Sequence, residues 1–535
     1  LNLRLSKILT FTCGSLLAAG AAVAASAGDS ALALSNPSAQ LDSSAPAGYR
    51  ASGSGSDFNL PQIGEAGANI ISPEQEYEIG VQVINELRDA GYIMDDPLVD
   101  EYIQNLGHQL SSHSDNPSLH FSYLPINDNY ANQPNIGDVN AETLPGGFIV
   151  VNSGLILMTD SEDELAGVLA HETGHVTQRH LARQAEEESD RSFLNFATML
   201  GAVLAAAKSG DPDVAMGALA TAQGSIIQHE INYTRGDESE ADRVGMQTLA
   251  RAGFQPEGMV DFFRQMQRDS SLNGYDRIPQ FLLDHPLDLT RMADMQNRAE
   301  QLKVPPRPDS RSYALMKARL RVLESDNASR PLQFFQAGVE SAKGWDLAAM
   351  RYGLALSEAK AGRYAEAVAQ MQSLVDQYDD VTAFRIGLAD TFIQSGQIPA
   401  AIATYRDAMR VFPDSAPLVL SYANDLVDAG KPQEAIDLLM QPVKQGEQTD
   451  PETLRLLAKA YDKAGNSGDS HYYMSEYYFT SGQPIAAVDQ LRIALATPGI
   501  DAVQRQRYRA RLDVVEVVAK AARRANDDRP GPQGP

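Results

Sequence analysis

The stretch Leu169-Ala-His-Glu-Thr-Gly-His-Val176 decides how the N-terminal half of this chain is read. It holds His171, Glu172 and His175 in the spacing H-E-x-x-H. On a helix, residues i and i+4 stand one turn apart on one face, so the two imidazoles aim at one point. A tetrahedral Zn²⁺ accepts such nitrogens at about 2.0–2.1 Å. Glu172 projects beside them, where a carboxylate can take a proton from a metal-activated water. Local signals support the helix. Ser161 and Glu164 have capping-box spacing, and Glu162 and Asp163 put negative charge where the helix dipole favours it. Leu165, Val168, Leu169 and Val176 recur at helical spacing.

Two histidines need a third protein ligand to make a catalytic zinc site. A metzincin-type extension is excluded, because Gln178 and Leu181 stand where glycine and histidine are required. His180 is one position off and is expected to be a solvated residue late on the same helix. The other solution is a glutamate from a second helix. In Arg235-Gly-Asp-Glu-Ser-Glu-Ala-Asp-Arg-Val-Gly245, Glu238 and Asp242 share one face while Glu240 points elsewhere. Glu238 is assigned as the ligand. Asp242 either orients a metal-bound histidine or contacts the reacting groups.

H-E-x-x-H followed by E-x-x-A-D, here Glu238 to Asp242, resembles the gluzincin peptidases that include HtpX and the CAAX prenyl proteases. Asn140-Ala141, Pro145-Gly146-Gly147 with the apolar run Phe148, Ile149, Val150 and Val151, and His285-Pro286 with Arg291 match further pieces. With the C-terminal half included, residues 60–500 resemble the periplasmic β-barrel assembly-enhancing proteases. The resemblance implies a zinc endopeptidase, one Zn²⁺ per chain, that also acts as a chaperone in outer-membrane protein quality control. Its implied partners are unfolded or stalled outer-membrane proteins and, through the repeats, the barrel-assembly machinery. The rival reading is a repeat-based scaffold whose protease site is latent.

His285 lies in the loop-like segment Leu283-Asp284-His285-Pro286. From there a histidine can fill the fourth zinc position and close the site. Arg291 either stabilises an oxyanion or braces this loop. The strand Phe148–Val151 is either a core strand or the edge on which an extended substrate docks by β-addition. Asp96-Pro97 starts a helix with the stripe Val99, Tyr102, Ile103, Leu106 and Leu110, and alternating Leu119, Phe121 and Tyr123 suggest a strand. His108, His113 and His120 lack a ligand-spaced partner and are read as surface or hydrogen-bonded residues. Apolar residues 193–207 and an Ala-rich stretch from Val214 read as buried helices or a movable lid, and His229 is given no metal role.

Beyond residue 305 a period emerges. Gly362, Gly396 and Gly430 are spaced by 34 residues, each with alanine five positions on: Ala367, Ala401 and Ala435. Gly482 and Ala487 repeat the pair, and the Gly465 unit reads as degenerate. This period is that of tetratricopeptide repeats, whose stacked units form a concave peptide-binding surface.

The fold class is therefore mainly α: an α+β gluzincin metalloprotease domain with a small sheet, then an α-solenoid. Residues 61–305 are assigned to the protease and 306–520 to the repeats, with a disordered tail over 521–535. Residues 1–27 read as a secretory signal, with Arg4 and Lys7 before an apolar run and Ala25-Ser26-Ala27 at the cleavage site. Residues 28–60 read as a disordered linker. The one cysteine, Cys13, lies inside the signal, which fits a periplasmic location without disulfides. A net charge of −26 over 535 residues argues against nucleic-acid binding and against adsorption to anionic lipid. Other peripheral membrane association stays open.

Overall fold

The computed structural model describes residues 73–89, 91–127, 139–187, 234–273, 280–445 and 450–527. The signal, the linker, the lid helices and His229 lie outside the described residues. Helices α1 (Pro73–Asp89) and α2 (Pro97–Ser111) lead into strand β1 (Ser122–Ile126). Asp96 caps α2 by accepting the Val99 N–H at 3.1 Å, and the expected α2 stripe is buried. Leu119 and Phe121 precede the strand, which starts later than their alternation suggests.

Strands β2 (Ala141–Leu144) and β3 (Phe148–Asn152) complete the sheet in the order β1-β3-β2. β3 runs parallel to β1 and antiparallel to β2. This corrects the edge-strand reading: Phe148, Ile149, Val150 and Val151 are paired on both sides and offer no edge to a substrate. The reason is visible in their side chains. All four are buried, as expected of a continuous apolar run in a central strand. Among the described residues, β2 is the sheet edge next to the H-E-x-x-H helix.

Helices α3 (Ser153–Met158), α4 (Glu162–Thr177) and α5 (His180–Glu187) follow. Then come α6 (Arg235–Arg251), α7 (Glu257–Asn273), α8 (Gln280–Asp284) and α9 (Leu289–Gln301). The α-solenoid runs from α10 (Arg311–Leu323) and α11 (Ser329–Ser341) through α12 (Gly344–Lys360), α13 (Tyr364–Gln377), α14 (Thr382–Gln394) and α15 (Ile398–Val411). It continues through α16 (Ala416–Asp428), α17 (Pro432–Gln445), α18 (Pro451–Lys463), α19 (Ser467–Thr480) and α20 (Pro484–Ala496) to α21 (Ala502–Asp527). The turn glycines Gly362, Gly396 and Gly430 have φ of 76°, 76° and 73°, a left-handed conformation that glycine adopts without a Cβ penalty. Ala367, Ala401, Ala435 and Ala487 are fully buried where paired helices cross.

Two expectations change here. Gly465 makes the same turn, with φ 78°, so its unit is intact; Gly482 lies half a period out, joining α19 to α20. The C-terminal helix also runs to Asp527, past the tail boundary expected at residue 521. Buried Val515 and Ala519 anchor it, and the Ala- and Arg-rich residues that follow are strong helix formers.

One buried apolar cluster runs from α2 and the sheet into the repeats. At this seam Arg319 of α10 grips Asp96 ahead of α2, with Nη2 2.7 Å from Oδ2. Asn85 donates to the Ser481 carbonyl at 2.7 Å. Between α1, α2 and the inner repeat helices lies a cavity of about 1020 Å³, lined in part by Arg88, Asp100, Asp390, Asp425 and Arg455.

Candidate metal centre

The site begins with the crossing of α4 and α6. A Cβ at Gly174 would sit 2.9 Å from the Ala241 carbonyl oxygen, and one at Gly245 would sit 2.8 Å from that of Ala170. Glycine at both positions lets the two backbones touch, and this carries Glu238 and Asp242 onto the imidazole face of α4. Each helix is capped. Ser161 Oγ accepts the Glu164 N–H at 3.2 Å, while Glu164 reaches the Asp160 N–H, one residue earlier than a reciprocal box would require. Thr234 and Asp237 form the full reciprocal box at the start of α6.

Four ligand atoms converge in the buried interior. His171 Nε2 lies 3.1 Å from His175 Nε2 and 3.3 Å from His285 Nδ1. Glu238 Oε1 is 2.9 Å from His285 Nδ1 and 3.6 Å from His175 Nε2, and its Oε2 is 3.6 Å from His171 Nε2. Ligand atoms about 2.0–2.1 Å from a tetrahedral zinc would be about 3.3–3.4 Å apart, close to these separations. The proton inventory agrees. Asp242 Oδ1 is 3.0 Å from His171 Nδ1 and keeps the proton there, so His171 presents a lone pair at Nε2. Burial, and then the neighbouring His171 and His180, hold His175 well below its ordinary pKa. With the His175 proton on Nδ1, the two Nε2 lone pairs face each other across 3.1 Å, an arrangement that a cation between them satisfies, so the residues fit a metal.

Glu172 stands at the rim of this group. Thr143 Oγ1 of β2 donates to its Oε2 at 2.9 Å. Its Oε1 is buried without a hydrogen-bond partner, 3.4 Å from His285 Nε2. His285 would be lowered by burial, but the Glu238 and Glu172 carboxylates outweigh that and raise it to about 9. Burial, then Asp284 and Glu172, push Glu142 up to about 8.

Arg291 and Asp242 pack against each other behind the ligand group. Arg291 Nε and Nη2 hold Asp242 at 2.6 and 2.9 Å. Its Nη1 meets Glu238 Oε2 at 2.5 Å and the Pro286 carbonyl at 3.1 Å. All three guanidinium nitrogens are engaged, by Asp242, Glu238 and the Pro286 carbonyl, contacts that suit the loop-bracing alternative. Asp242 has both oxygens on His171 and Arg291, contacts that suit the orienting alternative. Burial would raise its pKa, but Arg291 outweighs this and holds it at about 2.

His180 requires the largest correction. It is buried, with Nδ1 2.9 Å from His175 Nδ1. Helix α4 ends at Thr177, and Arg179 adopts φ 51°. The chain therefore turns, and His180 opens α5 instead of continuing the old helix into solvent. Nothing in the local sequence announces a left-handed arginine. Thr143 was also missed, although it lies between the Asn140-Ala141 and Pro145-Gly146-Gly147 pieces. As expected, Glu240 stays outside the ligand group. His108, His113 and His120 form hydrogen bonds with backbone carbonyls and stay away from the site.

Residues 97–299 match the model of peptidase family M48, and residues 358–421 match a tetratricopeptide repeat model. Residues 97–299 are thus similar to M48 peptidases. The M48 segment contains His171, Glu172, His175, Glu238, Asp242, His285 and Arg291 together. The β-barrel assembly-enhancing protease of Escherichia coli K12 is 35% identical over 318 residues, covering 59% of this chain and 62% of the relative. A putative β-barrel assembly-enhancing protease of Vibrio cholerae is 34% identical over 327 residues, covering 60% and 64%. Metalloendopeptidase OMA1 of Bos taurus is 30% identical over 167 residues, covering 31% of this chain and 30% of that protein. The chain thus spans just over three fifths of the assembly-enhancing relatives' length, whereas the OMA1 similarity is confined to a stretch shorter than the M48 match.

Proposed function

We propose that this chain is a periplasmic zinc endopeptidase that also acts as a chaperone for outer-membrane β-barrel proteins. The observation that carries the reading is the convergence of buried ligand atoms from His171, His175, Glu238 and His285 beside the Glu172 carboxylate. One Zn²⁺ held there would supply Lewis acidity to a water and to the scissile carbonyl. Glu172 then takes the proton of the attacking water and returns it to the leaving nitrogen. Thr143 holds the Glu172 carboxylate in line for both transfers. Asp242, anchored by Arg291, keeps His171 in the tautomer that binds.

His285 makes this a closed arrangement. Four protein ligands leave no position for water, so His285 has to withdraw before Glu172 can act. The protease unit, taken as residues 61–305, would be latent until a client engages the repeats of residues 306–520. Unfolded or stalled outer-membrane proteins are the client class, and the barrel-assembly machinery is the partner. The β-barrel assembly-enhancing relatives support this choice. The N-terminal signal pattern supports export, and no described helix is long and apolar enough to cross a membrane.

The test uses an unfolded outer-membrane protein as substrate. Glu172→Gln is expected to lower cleavage by about 10²–10⁴-fold with zinc retained, and full activity would end the endopeptidase reading. His285→Ala is expected to raise cleavage with zinc still bound; an unchanged or lower rate would remove the gating role. A pure scaffold would be indifferent to chelator and to Glu172→Gln.

A further inference from the structure

The two histidines of the H-E-x-x-H pair are held in different ways. His171 Nδ1 meets the Asp242 carboxylate directly at 3.0 Å. His175 Nδ1 meets another imidazole, His180 Nδ1, at 2.9 Å. On the far side of that ring, His180 Nε2 lies 3.2 Å from Glu240 Oε2 and 3.7 Å from Asp237 Oδ1. We propose that His180 is a positioning residue for the metal site, linking His175 to Glu240 through a hydrogen-bonded chain of two imidazoles. The proposal rests on the zinc-peptidase reading above.

The direction of every proton follows from the donor inventory. If His175 Nε2 gives its lone pair to the metal, its proton is on Nδ1 and donates to His180. His180 Nδ1 must then accept, so its own proton is on Nε2, facing Glu240. Glu240, an acceptor when ionised, closes the chain. With His175 bound through Nε2, the other His180 tautomer would place two protons between the rings.

A second feature points the same way. Arg179, just before His180, is the only non-glycine residue with positive φ among the described residues. Such backbone is disfavoured for arginine and persists only where its surroundings enforce it. Glu76 does so here, accepting from Arg179 Nε at 3.0 Å. The consequence of the turn is to bring the His180 ring beneath His175.

His180, Asp237 and Glu240 could also be taken for a second metal site, since their ligand atoms lie within 4.8 Å of one another. Arg183 argues against it. Its Nη2 is 2.8 Å from both Asp237 Oδ1 and Glu240 Oε2, so a guanidinium already occupies the cation position between the carboxylates.

The experiment is zinc affinity, measured on the full chain by competition with a chromophoric chelator, with metal stoichiometry counted alongside. His180→Leu removes the acceptor and is expected to weaken zinc binding about 10–100-fold. His180→Asn, whose Oδ1 can stand where Nδ1 stood, is expected to recover most of that loss. Glu240→Gln, on a partly exposed side chain, is expected to weaken binding several-fold. Wild-type affinity in His180→Leu, or equal loss in His180→Leu and His180→Asn, overturns the proposal. If His180→Leu does not fold, Glu240→Gln decides: several-fold loss supports the chain of imidazoles, and unchanged affinity overturns it. Two zinc ions per wild-type chain would overturn it in favour of the second site. A wild-type chain that binds no zinc would instead overturn the underlying peptidase reading.

Discussion

The seam between residues 61–305 and the repeats and the H-E-x-x-H site both bury charged and hydrogen-bonding side chains, but only the second gathers ligand atoms around one point. At the seam between peptidase and repeats, Arg319 pairs with Asp96 at 2.7 Å and donates to Tyr352 at 3.1 Å. Nearby, the Tyr405 hydroxyl bridges Asp390 and Asp425 at 2.9 and 2.8 Å. Burial and the Asp390 charge raise Asp425 to about 8, so it keeps a proton of its own at neutral pH. The seam is therefore supplied from within by guanidinium, phenol and carboxylic acid donors. At the H-E-x-x-H helix, by contrast, the Nε2 atoms of His171 and His175 lie 3.1 Å apart, with His285 and Glu238 beside them. Burying charge does not by itself mark a site. Metal-ligating atoms gathered around one point are a better sign.

The strongest way to break this comparison is to remove the metal. Chelation, or Glu238→Ala, should abolish the proposed peptidase activity and lower the thermal midpoint. A site saturated at 1,000-fold its dissociation constant contributes about 4 kcal/mol. Seam variants should leave zinc affinity unchanged. A melting temperature indifferent to chelator would place both clusters in the same structural class.

Arg319→Leu is the converse experiment. It strands Asp96 in the interior and should cost about 3–5 kcal/mol in chemical denaturation. Zinc binding should be unaffected. Stability equal to wild type would mean that the seam is held by its apolar contacts alone.

The pH dependence of the seam gives a smaller effect with a definite sign. A carboxyl whose folded pKa is raised binds its proton more tightly in the folded chain, so its ionisation works against folding as pH rises. For Asp425 that loss begins above the unfolded value, about 3.9, and grows until the folded value of about 8 is passed. Asp425→Asn should therefore flatten the decline and stabilise the protein at pH 7–8 by about 1–2 kcal/mol. Equal pH profiles for variant and wild type would contradict the shared-proton arrangement. Gly396→Ala gives the smallest change, about 1 kcal/mol of destabilisation, because φ is 76° at that turn. No loss there would show the turn can relax in a way the metal site cannot.

Much of this was written in local patterns. H-E-x-x-H and the later E-x-x-A-D announce ligands because a helix turns i and i+4 to one side whatever surrounds it. The 34-residue glycine and alanine spacing announces the repeats for a similar reason, since each repeat carries its own turn and its own close helix crossing. The burial of His180, the middle place of β3 and the carboxylate contacts of Arg291 were not written that way. A strand's neighbours are chosen by pairing across the chain, and the run Phe148–Val151 looks alike in a centre or at an edge. His180 depends on one left-handed residue, and Arg291 depends on which carboxylates reach it first.

By itself, then, the sequence determined which side chains could bind a metal and that paired helices would follow, because periodicity and residue chemistry act within a turn or two of backbone. Tertiary structure alone decided where the protons and guanidinium groups fall. The contact of Gly174 with Ala241 sets the α4–α6 crossing, the turn at Arg179 sets the second imidazole, and the Asp96–Arg319 seam sets the repeats against the peptidase. Each is a contact between distant parts of the chain, and its energy exists only once the backbone has closed around it.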